Sequence, residues 1–415
     1  MKRLINSLAA RLTLLKVLSA IVAIIVQLLL VELLGAPVYG YIALVLAVAF
    51  TLASLCRLGA ENQIMRASQY GRGAIHQAYL RAVVLALALA VILAAAAIAT
   101  PWLTRLFAQL SSESSYYIIA LLVLSVIQSL NSAYFQALEK PVVSSIFSGP
   151  LFNIVTLVAI VTLQPDSLDP ALWLLCACQL STCLLSSGIV IKLLYSSRRH
   201  IGWPTLTNTG VDGNAYTMIA LTTLTTQQGA QLITGHYASL SELAMLAIAI
   251  KASQFLSYPL VAVNKISAAK FARLAHQGQW QEVKMLAARH AQGLTVFALV
   301  AYVGLVIGYM LLSSLTAFAP YQVAYHYLLI LGLGQVINLA SGSVITIMLM
   351  GGLAKQYTYL NLALAAGFLF ALFALVPWLG GIGACIAIAS VMALRNMLAI
   401  YYVRTLLFRD HYDIQ

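Results

Sequence analysis

Long apolar runs recur along almost the whole of this sequence. A helix needs about 20 consecutive apolar residues to cross the hydrocarbon core of a bilayer, and twelve segments come close to that description. These segments cover residues 13–34, 38–58, 80–100, 116–138, 142–163, 171–193, 214–235, 243–263, 286–312, 322–350, 356–378 and 382–403. The sequence therefore predicts an all-α integral membrane protein with about twelve transmembrane helices.

The composition supports this class and excludes others. Of the 415 residues, 62% are hydrophobic and only 8% are charged, whereas soluble domains have about 25% charged residues. The apolar runs are continuous, so they do not fit the alternating segments of about 10 residues that form a membrane β-barrel. The net charge of +12 comes from short loops between spans, which argues against nucleic acid as a partner.

The basic residues sort to one side of the predicted membrane. If the N-terminus is cytoplasmic, nearly all of the 23 Lys and Arg residues fall in inward-facing loops, and only Arg105 faces outward. Lys251 and Arg395 are left within spans. Cytoplasmic loops carry an excess of Lys and Arg, so the sequence predicts that both termini are cytoplasmic.

A polar connection near the middle of the chain divides the spans into two sets of six. This connection covers residues 196–214, and it predicts an N-terminal lobe at 1–200 and a C-terminal lobe at 201–415. The stretch LGAPVYGYIALVLAVA, which begins at Leu34, is echoed about 205 residues later by LSELAMLAIAIKAS. Such 6+6 repeats are common among secondary transporters.

Lys251 is the most unusual residue within a predicted span. It lies in the stretch 243–263, about 12 Å from the start of the span at about 1.5 Å of rise per residue. A charge at that depth costs at least about 2.5–3.5 kcal/mol, so it should face the interior of the bundle or a watery cavity. Gln254 follows on the same face of the helix. Lys251 is either half of a structural ion pair or a cationic site inside a transporter.

Two arginines and several amides extend this candidate site. Arg57 and Arg395 add positive charge, which favours an anionic cargo, although either side chain can instead snorkel to the cytoplasmic interface. Polar residues lie at helical spacing in three spans, and four of them are candidate cargo contacts: Gln128, Gln227, Gln231 and Asn338. Such residues either bond helices to one another or line a hydrated cavity. The cluster on the seventh span favours a cavity wall.

The sequence has few motifs that would indicate a cofactor or an energy source for transport. There is no P-loop, no metal-ligand cluster and no long outward loop with catalytic residues, so we expect a protein that is not an enzyme and has no cofactor. A span-embedded acid is the usual residue that couples transport to a proton or sodium gradient. Glu32 is the only candidate, and its place near the rim of the membrane argues against strong proton coupling.

Two segments carry a family resemblance. LGAPVYGYIALVLA…LCRLGAENQIMR at 34–66 and SELAMLAIAIKASQF…NKISAAKFARLAHQGQWQEVK at 241–284 resemble the bacterial oligosaccharide flippases of the Wzx type. These flippases belong to the multidrug/oligosaccharidyl-lipid/polysaccharide (MOP) superfamily. Peptidoglycan-precursor flippases of the same superfamily usually have two more spans and an arginine-rich first lobe, which this chain does not clearly have.

The resemblance implies a fold, a cargo and a place in the cell. It implies two six-helix lobes around a V-shaped cavity that opens alternately to each side. The implied cargo is a polyprenyl diphosphate that bears an oligosaccharide, moved to the periplasmic leaflet of the bacterial inner membrane for synthesis of an O-antigen-type surface polysaccharide. Implied partners are membrane lipids, a polysaccharide polymerase and a chain-length regulator. The alternatives are a multidrug/toxin antiporter of the same fold and a membrane glycan polymerase or ligase.

Overall fold

The computed structural model describes residues 2–100, 102–196 and 212–408, which form fifteen α-helices and no strand. The helices are α1 Lys2–Leu34, α2 Ala36–Arg57, α3 Ala60–Ala67, α4 Arg72–Ala99, α5 Trp102–Leu106, α6 Ser114–Ala137, α7 Pro141–Phe147, α8 Pro150–Leu163, α9 Leu168–Ser196, α10 Asp212–Tyr237, α11 Leu240–His276, α12 Trp280–Leu312, α13 Gln322–Ala340, α14 Val344–Met350 and α15 Ala354–Tyr402. The predicted all-α fold class is confirmed.

Ten helical segments within the described residues are long and apolar enough to cross a membrane. Nine of them match predicted spans one to one, and the last, Lys355–Leu407, covers the two predicted spans 356–378 and 382–403. The remaining predicted span, 214–235, forms α10, which is rich in Thr and Gln and is not among the ten.

The helix α15 is in fact two helices joined by a sharp turn. A straight helix of its 49 residues would be about 74 Å long, more than twice the thickness of a bilayer core. Gly380 interrupts it with φ 55° and ψ −135°. A Cβ atom on Gly383 would lie 2.5 Å from the carbonyl oxygen of Leu375, although residues eight apart along a helix are separated by about 12 Å. The chain therefore reverses here, as the two predicted spans require.

Two predicted spans are interrupted where the sequence suggested continuous helices. The span 142–163 divides into α7 and α8 at Ser148 and Gly149, and the span 322–350 divides into α13 and α14 around Gly342. Gly342 has φ 62°, a left-handed conformation that glycine adopts at little cost. Apolar composition alone does not reveal such breaks, because both sides of each break are equally apolar.

The chain divides into two compact units. The first unit is Leu18–Ala244, and the second unit is Met1–Val17 together with Met245–Gln415. The predicted boundary between lobes, at residues 200 and 201, lies outside the described residues. The division into lobes at 1–200 and 201–415 stays a prediction.

The first unit is organised around α6. This helix packs against α2, α3, α4, α7 and α9, and its side chains Leu130, Tyr134 and Phe135 are fully buried. A helix in contact with five others cannot face lipid over much of its surface. The polar residues of α6 therefore need partners within the protein.

The turn between α10 and α11 is clamped against the start of α2, also within the first unit. Gly40 on α2 packs so closely on the backbone of Leu240 that a Cβ atom there would overlap the Leu240 carbonyl group. The side-chain amide of Gln109 donates a hydrogen bond to the carbonyl oxygen of Ala238, at 2.9 Å. These contacts fix the turn after α10 to α2 and to the segment between α5 and α6.

The second unit is held together by two apolar clusters. One joins α11, α12, α14 and α15 through side chains such as Phe271, Val283, Met348 and Val403. The other joins α11, α12 and α13 around Leu339. These clusters hold α11, the helix of Lys251, against its neighbouring helices.

Candidate functional site

Lys251 lies on α11, in the second unit, and its side chain is half-buried. Within the part of the chain that the structure describes, Lys251 makes no ion pair and no hydrogen bond, and the ion pair found there joins two other residues. Gln254, one helical turn further on, is exposed. The two side chains share a face of α11. This face therefore carries a lysine with no ion pair among the described residues and an exposed glutamine amide.

Arg395 lies on the second helix of α15, also in the second unit. Its Nε atom is buried and has no hydrogen-bond partner among the described residues. The next residue, Asn396, is buried and belongs to an amide network. The side chain of Asn396 donates to Asn338 Oδ1 at 3.1 Å, and Asn338 donates to Gln335 Oε1, also at 3.1 Å. Asn338 on α13 therefore bonds to Asn396 on α15, and Asn396 is the neighbour of Arg395 in the chain.

Arg57, in contrast, is already paired. Its Nε atom lies 2.7 Å from Glu61 Oε1 in an ion pair, although this Nε, like that of Arg395, makes no hydrogen bond with the described residues. Its Nη2 donates a hydrogen bond to Ser54 Oγ at 2.9 Å. From the sequence, Arg57 was counted with Lys251 and Arg395 as a candidate cation of the site. In the structure, the positive charge of Arg57 is balanced by Glu61.

Gln227 and Gln231 lie along α10 in the first unit, where Gln227 is exposed and Gln231 is half-buried. The hydroxyl groups of Thr225 and Thr226 donate to backbone carbonyls four residues earlier in the same helix. These threonines thus satisfy their hydrogen bonds locally, while Gln227 presents its amide at the surface of the described structure. This arrangement fits a hydrated wall.

Gln128 is buried on α6 and both ends of its amide are bonded. Its Nε2 donates to the carbonyl oxygen of Phe147 at 2.6 Å, and its Oε1 accepts from Ser186 Oγ at 3.0 Å. In this structure Gln128 joins α6 to α7 and α9. Its part in cargo binding, predicted from the polar stripe, requires these bonds to be exchanged.

Glu32 is exposed near the end of α1. Its place near the rim of the membrane stays a prediction. The candidate residues divide between the units. Glu32, Arg57, Gln128, Gln227 and Gln231 lie in the first unit, and Lys251, Gln254, Asn338 and Arg395 lie in the second.

Two features of the structure were not predicted from the sequence. Glu61 was not recognised as a partner of Arg57, although the two residues are four apart. His76, which precedes the predicted span 80–100, is 1% exposed, and its Nδ1 lies 2.8 Å from the hydroxyl of Tyr134. It is buried because α4 begins at Arg72 and packs against α6, the helix of Tyr134.

Comparisons with known proteins identify the fold. No family model and no curated protein matches the sequence. Among solved structures, the lipid II flippase MurJ in an inward closed conformation aligns with a TM-score of 0.71 and 13% identity, over 97% of this chain and 89% of that chain. The MATE multidrug transporter DinF-BH aligns with a TM-score of 0.63 and 12% identity, over 98% and 96%.

A further match, the inward-facing conformation of a MATE family transporter of the MOP superfamily, has a TM-score of 0.64 and 12% identity and covers 95% and 94% of the two chains. The class defined by the fold is therefore an all-α integral membrane protein with the architecture of these transporters. More particularly, the chain shares the fold of MATE transporters and of the flippase MurJ along nearly its whole length.

Proposed function

We propose that this protein is a flippase for polyprenyl-diphosphate-linked oligosaccharides. It moves its cargo from the cytoplasmic to the periplasmic leaflet of a bacterial inner membrane by alternating access, and it supplies the synthesis of an O-antigen-type surface polysaccharide. Both termini are cytoplasmic in this proposal. The observation that carries it is Lys251, a half-buried cation within a span with no carboxylate partner among the described residues.

The positive charge of Lys251 needs a counter-charge or water. A lysine at membrane depth is costly unless it meets water or an anion, and the structure describes no protein anion paired with Lys251. Arg395 adds a second cation with a buried Nε atom. A diphosphate supplies the opposite charge that both side chains lack, and Arg presents the planar fork that suits a phosphate.

The oligosaccharide requires hydrogen-bond partners that replace water. Gln227, Gln231 and Gln254 present amides that can bond to sugar hydroxyls, while the lipid tail stays in the bilayer. The two lobes move against one another, so the cavity opens to the cytoplasm and then to the periplasm. Use of the product outside or a proton or sodium gradient drives the cycle, and Glu32 is the candidate coupling residue. The proposed partners are membrane lipids, a polysaccharide polymerase and a chain-length regulator.

The test is substitution of Lys251 in cells that depend on the protein for surface glycan. Lys251→Ala should reach normal membrane levels, because the substitution removes a desolvation cost. Export of glycan should fall by at least about tenfold, and lipid-linked units should accumulate inside. Lys251→Arg should keep part of the activity, and Lys251→Glu should have the least, because like charges repel strongly in a medium of low dielectric.

A matched control separates this effect from loss of positive charge in general. Lys284 is exposed on α12, and Lys284→Ala should leave export unchanged. Normal export in Lys251→Ala, at normal protein levels, contradicts the proposal.

A multidrug/toxin antiporter is the second candidate, because MATE transporters share the fold. A pump for organic cations needs acidic groups in its cavity. Glu32 is exposed near the end of α1, and Glu61 is paired with Arg57, so the charge of the site disfavours this candidate. Uptake of a fluorescent organic cation by vesicles that contain the purified protein would favour it over the flippase.

A further inference from the structure

The ion pair between Arg57 and Glu61 joins two helices at a break in the chain. α2 ends at Arg57, the backbone turns through Leu58 at φ 46° and Gly59 at φ 76°, and α3 begins at Ala60. Glu61 therefore lies in the first turn of a new helix. The side chain of Arg57 is 14% exposed and that of Glu61 is 38% exposed, so the acid can reach solvent more easily than the base.

Each partner has a second source of stabilisation. The first turn of α3 has no side-chain cap, and a carboxylate near a helix N-terminus interacts favourably with the free N–H groups there. Arg57 lies in the last turn of α2, where a cation is favourable, and it is anchored by Ser54. Separation of the pair therefore leaves neither charge without favourable interactions.

The helix of Glu61 also contacts the helix of the proposed cargo wall. α3 packs against α10, the helix that carries Gln227 and Gln231. Once the carboxylate leaves, Arg57 presents N–H groups that a phosphate can accept in a bidentate manner. Glu61 and a cargo phosphate are thus competitors for the same guanidinium group.

We propose that Glu61 is a built-in substitute anion for Arg57, which the diphosphate of the cargo displaces on binding and which returns to expel the phosphate on release. This inference rests on the proposed anionic cargo. It assigns to Glu61 a positioning and exchange role, because the acid acts on the cargo through Arg57. Without Glu61, the cation holds phosphate more tightly and releases it more slowly.

The experiment measures binding of farnesyl diphosphate, a short isoprenyl diphosphate, to the purified full-length protein by isothermal titration calorimetry. Glu61→Gln keeps the shape of the side chain and removes its charge, and it should raise the affinity by about tenfold, the size expected when a partly buried competing charge is lost. The double variant Arg57→Gln with Glu61→Gln should lose this gain.

Glu282 provides the matched control. It also lies in the first turn of a helix, α12, it is exposed, and the structure describes no arginine paired with it. Glu282→Gln should leave the affinity unchanged. A gain that persists without Arg57, or that appears equally in Glu282→Gln, is a general charge effect and overturns the proposal. Thermal unfolding checks each variant, and Glu61→Asp, which shortens the side chain, should give a smaller gain of the same sign.

The outcomes separate this inference from the proposed function. Binding that weakens in Lys251→Ala but is unaffected by Glu61→Gln overturns the role of Glu61 and leaves the proposed function standing. If Glu61→Gln raises the affinity and Lys251→Ala leaves it unchanged, the result supports the exchange at Arg57. It then contradicts the role of Lys251 in binding the diphosphate. No binding by the parent protein or by Glu61→Gln overturns both.

Discussion

The two units treat corresponding helices differently. In the first unit, α2 stops at Arg57 and a separate short helix, α3, follows; in the second unit, α11 continues without a break to His276, 37 residues in all. Both stretches then reach a glycine with positive φ, Gly71 at 93° and Gly278 at 69°, just before the next long helix begins. The separation between Gly71 and Gly278 in the sequence is close to the predicted repeat of about 205 residues.

This difference has an electrostatic consequence. The extra helix of the first unit brings Glu61 to Arg57, so the cation of that unit is balanced. The unbroken α11 brings no acid to Lys251 within the described residues. Within the described residues, the first unit thus carries an arginine paired with an acid, and the second carries Lys251 without such a pair.

A second comparison concerns how each unit joins its helices. In the first unit, Asn131 on α6 accepts from Tyr79 and donates to Ser186 and Ser187 on α9. In the second unit, Asn338 and Asn396 join α13 to α15. Both junctions are buried amides that make three hydrogen bonds each. All three bonds of Asn131 reach other helices, whereas one bond of Asn396 goes to the Met392 carbonyl oxygen in its own helix.

The largest expected effect follows from these junctions. Asn131→Leu should lower the free energy of unfolding by about 3 kcal/mol, because it removes the amide that bonds to Tyr79, Ser186 and Ser187. Asn396→Leu should cost about 1–2 kcal/mol, because only two of its three hydrogen bonds, those with Asn338 and Ser341, leave its own helix. Unfolding in detergent measures both, and the exposed Gln254→Leu serves as a control. Equal losses in all three variants would mean that the amide junctions have no special role.

The next largest effect is expected in the thiol reactivity of cysteines placed at Gln227, a candidate wall residue, and at Gln128, a residue that bonds helices together. Cysteine at Gln227 should react with a small aqueous thiol reagent more than about tenfold faster than cysteine at Gln128, because reaction requires an accessible thiolate. The five native cysteines are all buried, so their background reaction should be slow. Similar rates at both positions would show that the exposed face of α10 is not hydrated in the membrane.

The smallest effect is expected on stability, from substitutions in two similar turns. Glu139 after α6 has φ 60°, and Gly342 after α13 has φ 62°. Glu139→Gly should stabilise the protein by about 1 kcal/mol, since glycine adopts this conformation more readily than glutamate. Gly342→Ala should destabilise it by at least about 1 kcal/mol, because its Cβ would also lie 3.1 Å from the Cα atom of Ala291. Thermal unfolding shows both, and shifts of the same sign would contradict the equivalence of the turns.

Much of the fold was predictable because the bilayer restricts what the chain can do. Apolar runs of about 20 residues predicted the spans, and the hairpin at Gly380 was predicted from the gap between two of them. The breaks at Gly149 and Gly342 were missed, since a break in a buried helix changes backbone angles without changing apolar composition. Gly342, between two serines, was the signal that could have indicated the second break.

The candidate site was less predictable because pairing depends on contacts distant in sequence. A polar stripe looks the same whether it faces water or another helix. The density of Thr and Gln favoured a cavity wall for Gln227, but nothing in the sequence showed that Gln128 bonds to α7 and α9. The pairing of Arg57 with Glu61 is a different case, because the two residues are only four apart in the sequence. The intervening Leu58 and Gly59 hid the pairing by ending the apparent span.

The clamp between α2 and the end of α10 bears on how the protein is made. A membrane insertion apparatus accepts each helix largely by its own apolarity, and α10 is not among the ten described segments that are apolar enough. α2 is synthesised earlier and offers Gly40 as a close contact for the backbone after α10. We therefore expect α10 to enter the bilayer as a pair with α2, so that membrane integration and folding of this segment are one event.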